Sequence, residues 1–172
     1  MLIHVTRFVA VQQQVFDLVD EYLVDLRSQI RNGDMYILEV LKKLWNDEFF
    51  SVSKRMEKMG FGLIHSFDDI RKHLVTVMNN IGTPLLINGE AKDVLEYEAA
   101  SKKDRGISVI AIGGDKLSRG LTLEGLTISY YLRSSRMYDT LLQMGRWFGY
   151  KDGYLDLCRI YTTSELSRWY SH

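Results

Sequence analysis

Apolar positions change their period along the chain, and each change marks an element. Leu2-Ile3-His4-Val5-Thr6-Arg7-Phe8 opens as a strand-like alternation of β-branched residues that runs into a polar turn. The spacing then switches to three and four: Val11, Val15, Leu18, Val19, Tyr22, Leu23, Leu26 and Ile30 form a stripe that predicts one long packed helix, stopped at Asn32-Gly33. A second helical region, from about Met35 to Met59, carries Ile37, Leu38, Leu41, Leu44, Trp45 and Phe49 until Gly60-Phe61-Gly62 interrupts it. Trp45, Phe49, Phe50 and Phe67 fall at spacings that read as core before they read as base-stacking surface. A third helix begins at Ser66, whose hydroxyl can cap it with Asp69 in the capping-box position. Its buried stripe is Ile70, Leu74, Val77, Met78 and Ile81, and Gly82-Thr83-Pro84 ends it before the strand Leu85-Leu86-Ile87.

Residues 93 to 106 are highly polar and read as a connecting excursion. Ile107 to Ile112 follows as a near-continuous apolar run, as expected of a strand covered on both faces in a parallel sheet. Leu126 to Leu132 is another such run. Leu155-Asp-Leu-Cys-Arg-Ile-Tyr161 alternates, which points Cys158 into a packing layer. Strands separated by helical patterns predict an α/β fold with a mostly parallel sheet.

Composition narrows the class. With 172 residues, 46% hydrophobic and 26% charged, the chain has the size and apolar content of a single domain with a proper core. No apolar run reaches membrane-spanning length, and Met1 leads into a strand without the basic and hydrophobic regions of a signal peptide. One cysteine forms no internal disulfide, so a reducing cytoplasm is the expected compartment. One cysteine and four scattered histidines offer no metal-ligand spacing, so no metal site is expected. The 22 basic and 22 acidic residues balance, which argues against bulk electrostatic coating of nucleic acid. A local cluster such as Lys116, Arg119, Arg133 and Arg136 still suffices to grip a phosphate backbone in a cleft.

Two glycine-rich stretches carry candidate chemistry. Gly113-Gly-Asp-Lys-Leu-Ser-Arg-Gly-Leu-Thr122 sits between two strand-like runs, and Gln143-Met-Gly-Arg-Trp-Phe-Gly-Tyr-Lys151 ends an amphipathic run. Glycines let backbone N–H groups approach an anion closely, and a strand exit puts them where open α/β sheets bind ligands. An arginine adds a permanently charged planar fork suited to phosphoryl oxygens. Taken singly, such motifs are equally read as close helix packing at Gly145 and Gly149 with surface cations at Arg119 and Arg146.

Their order resembles motifs V and VI of the second RecA-like lobe of superfamily-two helicases and translocases. A closer likeness covers residues 107 to 161: Ile110 to Leu126, Met137 to Tyr150 and Gly153 to Tyr161 are similar to the Z-one, or Z1, domain family. These are bacterial helicase-like proteins, often labelled endonucleases, associated with DNA restriction and defence loci. The resemblance implies a RecA-like three-layer lobe over residues 1–172, within which residues 33–81 are a helical insertion. It implies Arg146 as the arginine finger, with Gln143 as a nucleotide sensor and Lys151 standing in for the second arginine, whose usual position Gly149 occupies. Arg119, Gly120, Glu124 and Gly145 would shape the nucleotide side of the cleft, Glu124 replacing a ribose-binding aspartate where this chain has Thr122. Thr6, Arg7, Lys116 and Ser118 would touch the DNA backbone. Glutamine stands one residue nearer the Gly-Arg pair than in the common pattern.

No Gly-x-x-x-x-Gly-Lys-Ser/Thr loop occurs, and Asp47-Glu48 lies in a helical pattern. ATP and magnesium are therefore expected to bind mainly to a first RecA-like lobe of the same polypeptide, this chain being its C-terminal part and inactive alone. A noncatalytic scaffold is the alternative. A magnesium-dependent nuclease built on Glu90-Ala-Lys92 is a further one, although its upstream acids Asp68 and Asp69 fall on a helix start.

Overall fold

The computed structural model describes residues 1–4, 6, 8–61, 63–87, 108–114, 126–131, 153 and 155–170. Its centre is a five-stranded sheet in the order β2-β3-β1-β4-β5. The strands are β1 (Leu2–His4), β2 (Leu85–Ile87), β3 (Ala111–Gly113), β4 (Ile128–Tyr131) and β5 (Arg159–Thr162), and every pairing is parallel. Leu2 and Ile112, on the inner strands β1 and β3, are fully buried, as continuous apolar runs in a parallel sheet require. The molecule is a mixed α/β lobe of the RecA-like kind.

Helices α1 (Val9–Asn32), α2 (Met35–Leu44), α3 (Ser51–Lys58), α4 (Phe67–Arg71) and α5 (Leu74–Asn80) fill the connection from β1 to β2. A π-helical turn, Trp45–Phe50, joins α2 to α3 without breaking the rod. A 3₁₀ turn (Leu155–Leu157) precedes β5, and α6 (Ser164–Tyr170) follows it.

Register assigns these helices to a face. Partners across a ladder point the same way and neighbours along a strand point opposite ways. Ile112, Ile3, Tyr130 and Tyr161 therefore share one face, and Ala111, Leu2, Ser129 and Tyr131 the other. Ile110, of the same parity as Ile112, packs on the cluster of Leu23, Ile30, Ile37, Leu38 and Met78. The α1, α2 and α5 layer thus covers the first face. The π turn reaches the same face further along, where burial first and the Glu48 charge second push the Tyr161 phenol pKa up.

Local chemistry explains the turns. Gly33 adopts φ 68°; its N–H donates to the Ile30 carbonyl and that of Asp34 to the Gln29 carbonyl, so the end of α1 is a Schellman motif. Asp34 then caps α2, its Oδ1 accepting from the Tyr36 and Ile37 amides at 2.8 and 3.3 Å. Arg27 ties α1 to the end of α5 by donating to the Met78 and Ile81 carbonyls at 3.1 and 2.9 Å, a cation satisfying helix C-terminal acceptors.

Three expectations are corrected. The stripe along α1 is not buried throughout: Leu18 and Tyr22 are 66% and 62% exposed, while polar Gln12 is buried. The helix begun at Ser66 is two helices, breaking at Lys72-His73, which lets Ile70 line a cleft with Trp45 while Met78 enters the α1–α2 core. Leu155-Asp156-Leu157 is a 3₁₀ turn and not part of the last strand. Asp156 is the inward residue because its Oδ2 accepts from the buried Ser53 hydroxyl at 2.5 Å, and Leu155 faces out. Among the described residues no helix is long and apolar enough to cross a membrane.

Candidate functional site

Open parallel sheets bind ligands outside the carboxyl ends of their strands, at the point where strand order reverses direction. Here the chain leaves β1 for the edge strand β2, passing over β3, and then steps back through β3 and across β1 to β4 and β5. The reversal is centred on β1. His4 pairs with Gly113 on one side and Tyr131 on the other, so β1, β3 and β4 end level at one rim.

Four features build that rim. The His4 and Tyr131 rings stack at 4.9 Å with planes 7° apart, and both residues are almost wholly buried, giving a rigid floor. Gly113 and Gly114 are buried where the chain leaves β3. Neither carries a side chain to fill the space at that exit. Thr6, half-buried just beyond β1, accepts the Phe8 amide on Oγ1 at 3.2 Å, which leaves its hydroxyl proton able to donate. Its carbonyl accepts from Gln12 Nε2 at 2.7 Å, fixing the turn to α1.

Helix α1 starts at this rim. The Phe8 side chain makes no cap hydrogen bond and the first turn of this 24-residue helix holds no acidic residue, so the helix itself supplies no negative charge to its positive end. Charge and geometry here suit an anion, and the hydroxyl of Thr6 stands beside it. Among the described residues no group of three His, Cys, Asp or Glu side chains could hold a metal ion.

The structure brings Thr6 and the Gly113-Gly114 root of the motif V stretch to one edge. Arg7, Lys116, Ser118, Arg119, Gly120, Glu124, Gln143, Gly145, Arg146 and Lys151 lie outside the described residues, as do Arg133, Arg136, Glu90 and Lys92. Sequence reasoning missed His4 and Tyr131. The available signal was a ring closing each of two apolar strand runs, which register alone turns into a stacked pair. Gln12 was missed too, because a glutamine among Gln12-Gln13-Gln14 looks like helix surface.

No curated protein and no solved structure matches the chain. The family model described as the Z1 domain matches residues 1–172, the whole length over which the sheet, its rim and the helical layer are built. The chain belongs to the Z1 domain family.

Proposed function

We infer that this domain is the second RecA-like lobe of an ATP-driven DNA translocase or helicase in a bacterial restriction or defence protein. In this reading Arg146 is the arginine finger, Gln143 senses nucleotide and Lys151 adds charge. Arg119, Gly120, Glu124 and Gly145 shape the nucleotide side of the cleft. Thr6, Arg7, Lys116 and Ser118 hold the DNA backbone. Magnesium-ATP sits mainly on a first lobe, and cleft closure completes the site. Residues 33–81 are a helical insertion on the lobe.

The observation that carries the reading is the level carboxyl rim at the reversal of strand order, with the Gly113-Gly114 exit on it and Thr6 and the start of α1 just beyond β1. Anion binding needs donors aimed at one place, and this edge has a hydroxyl, helix amides and close-approach glycines. The test is Arg146→Ala in the full-length protein. DNA-stimulated ATP hydrolysis should fall by about a thousandfold or more, the range for loss of an arginine finger. Wild-type protein with no ATPase would favour the scaffold reading, for which the exposed Met35, Tyr36 and Val40 on α2 are the motivating surface. Magnesium-dependent DNA cleavage that vanishes on changing Glu90 or Lys92 would favour the nuclease.

A further inference from the structure

The opposite edge of the sheet carries a second recess. A cleft of about 430 Å³ opens beside the amino end of β5, walled by Trp45, Leu63, Ile70 and Leu157, with His65 and Asp156 as its polar members. Its size falls in the range of about 300–1,000 Å³ typical of small-molecule sites, and its mix of apolar walls and few polar groups is theirs too. Three elements converge on it: the π turn, the segment entering α4, and the 3₁₀ turn before β5. Single π turns inside α-helices concentrate at functional sites. Trp45 is the first residue of this one, and its indole is braced from within the turn by Phe49, the rings stacked 5.8 Å apart and 9° from parallel.

Asp156 gives the cleft its chemistry. The residue is buried, and its Oδ2 accepts from Ser53 Oγ, itself buried, at 2.5 Å. The nearby Arg159 guanidinium donates to the Asp156 carbonyl and not to its carboxylate. Among the described residues the ion pairs are Lys42–Glu39 and Lys72–Asp69, so no cation pairs with Asp156 there. A carboxylate offers about four lone-pair sites, and one hydroxyl fills one of them. Burying such a group is unfavourable until further donors arrive.

We propose that this cleft binds a guanine base, stacked against Trp45, with its adjacent ring N–H and exocyclic N–H₂ donating to the carboxylate of Asp156. Guanine is singled out because a carboxylate accepts two parallel donors. Adenine and cytosine set a ring acceptor beside their amino group, and that acceptor would face the carboxylate lone pairs. Aromatic stacking supplies the remaining affinity without selecting a base. The site lies a strand length, roughly 13 Å, from the carboxyl rim, and it does not rest on the ATPase reading.

Isothermal titration of the full-length protein with guanosine tests this without ATP. Guanosine should bind with a dissociation constant at or below the millimolar range, and adenosine about tenfold or more weaker, the discrimination a bidentate base contact gives. Asp156→Asn should weaken guanosine by about tenfold or more, because the carboxamide turns a donor toward the base. Leu63→Trp fills the cleft from a position 73% exposed, so it leaves the fold intact and should abolish binding. A thymine-rich single-stranded oligonucleotide with one guanine, measured against the all-thymine strand of equal length, separates the sources: a gain from the guanine that Asp156→Asn removes assigns an unpaired base of a strand, and no gain beside guanosine binding assigns a free nucleoside. No guanosine binding at millimolar concentration, equal binding of adenosine, or full binding by Leu63→Trp overturns the proposal.

Discussion

Replacing Arg159 by alanine should detach the π turn from the start of β5. The guanidinium donates through Nη1 to the carbonyls of Asp156 and Cys158 at 2.9 and 2.8 Å and through Nη2 to the carbonyl of Glu48. It also lies 4.5 Å from the centre of the Phe49 ring. One side chain thus ties together two segments more than a hundred residues apart in sequence. A hydrogen bond from a charged donor contributes about 1.5–3 kcal/mol when buried. Arg159 is half-buried, so about 1 kcal/mol for each of the Cys158 and Glu48 contacts, less for the local bond to Asp156, and about 0.5–1 kcal/mol for the ring contact are reasonable. Allowing for non-additivity, Arg159→Ala should destabilise by about 3 kcal/mol. With a urea slope of about 2 kcal/mol per molar, the unfolding midpoint should fall by about 1.5 M with the slope unchanged. Arg159→Lys should recover less than half, because an ammonium lacks the planar fork that reaches several carbonyls together. A midpoint within about 0.3 M of wild type for Arg159→Ala, or full recovery by lysine, would refute the idea that this guanidinium docks the turn.

Two further outcomes are expected. The Asp69 carboxyl should titrate at about 2 by NMR, below its ordinary 3.8, because Lys72 and then Ser66 hydrogen-bond its charged form. A depressed carboxyl contributes stability above its unfolded pKa that is lost as pH falls through the folded one, so the α4 cap should loosen from below about pH 4 toward pH 2; an ordinary value in wild type, or no rise in Lys72→Ala, would count against the contacts. Gly33→Ala should destabilise by about 1 kcal/mol in thermal or urea unfolding even though nothing lies within 4 Å of the added methyl, since the backbone is left-handed there; an unchanged midpoint would mean the turn has an alternative conformation.

Signals confined to a few adjacent residues were legible, and signals that depended on a distant partner were not. Asn32-Gly33 and Ser66-x-x-Asp69 act within one turn, and both appear where expected. The apolar run ending at Ile112 reads as a covered strand because both faces of the inner strand are apolar. The α1 stripe misled because Leu18 and Tyr22 share the apolar side of the wheel with Val19 and Leu23, and only the position of α2 and α5 decides which of them is covered. Asp156 misled more deeply. Its inward turn is set by Ser53, a residue more than a hundred positions away that lies outside the apolar stripe of its helix. At the candidate rim, the local glycine pair was visible, whereas the level alignment of His4, Gly113 and Tyr131 exists only once the order β3-β1-β4 is known.

That strand order separates two chemical surroundings by the length of a strand. At the carboxyl rim, helix amides, glycines and a threonine hydroxyl present donors, which suits anions. At the amino end of β5 the polarity inverts: the accessible chemistry is a carboxylate among apolar walls, which suits a neutral ring rich in N–H groups. A phosphate at the second site would meet Asp156 and be repelled, and a guanine at the first would find donors facing its own N–H groups. Parallel strands make the separation unavoidable, since every strand delivers its carboxyl end to the same rim. The π turn matters because it carries Trp45 down to the amino edge while Arg159 holds it there. A change that frees the turn should therefore impair the cleft and leave the rim, built by β1, β3, β4 and the start of α1, as it was.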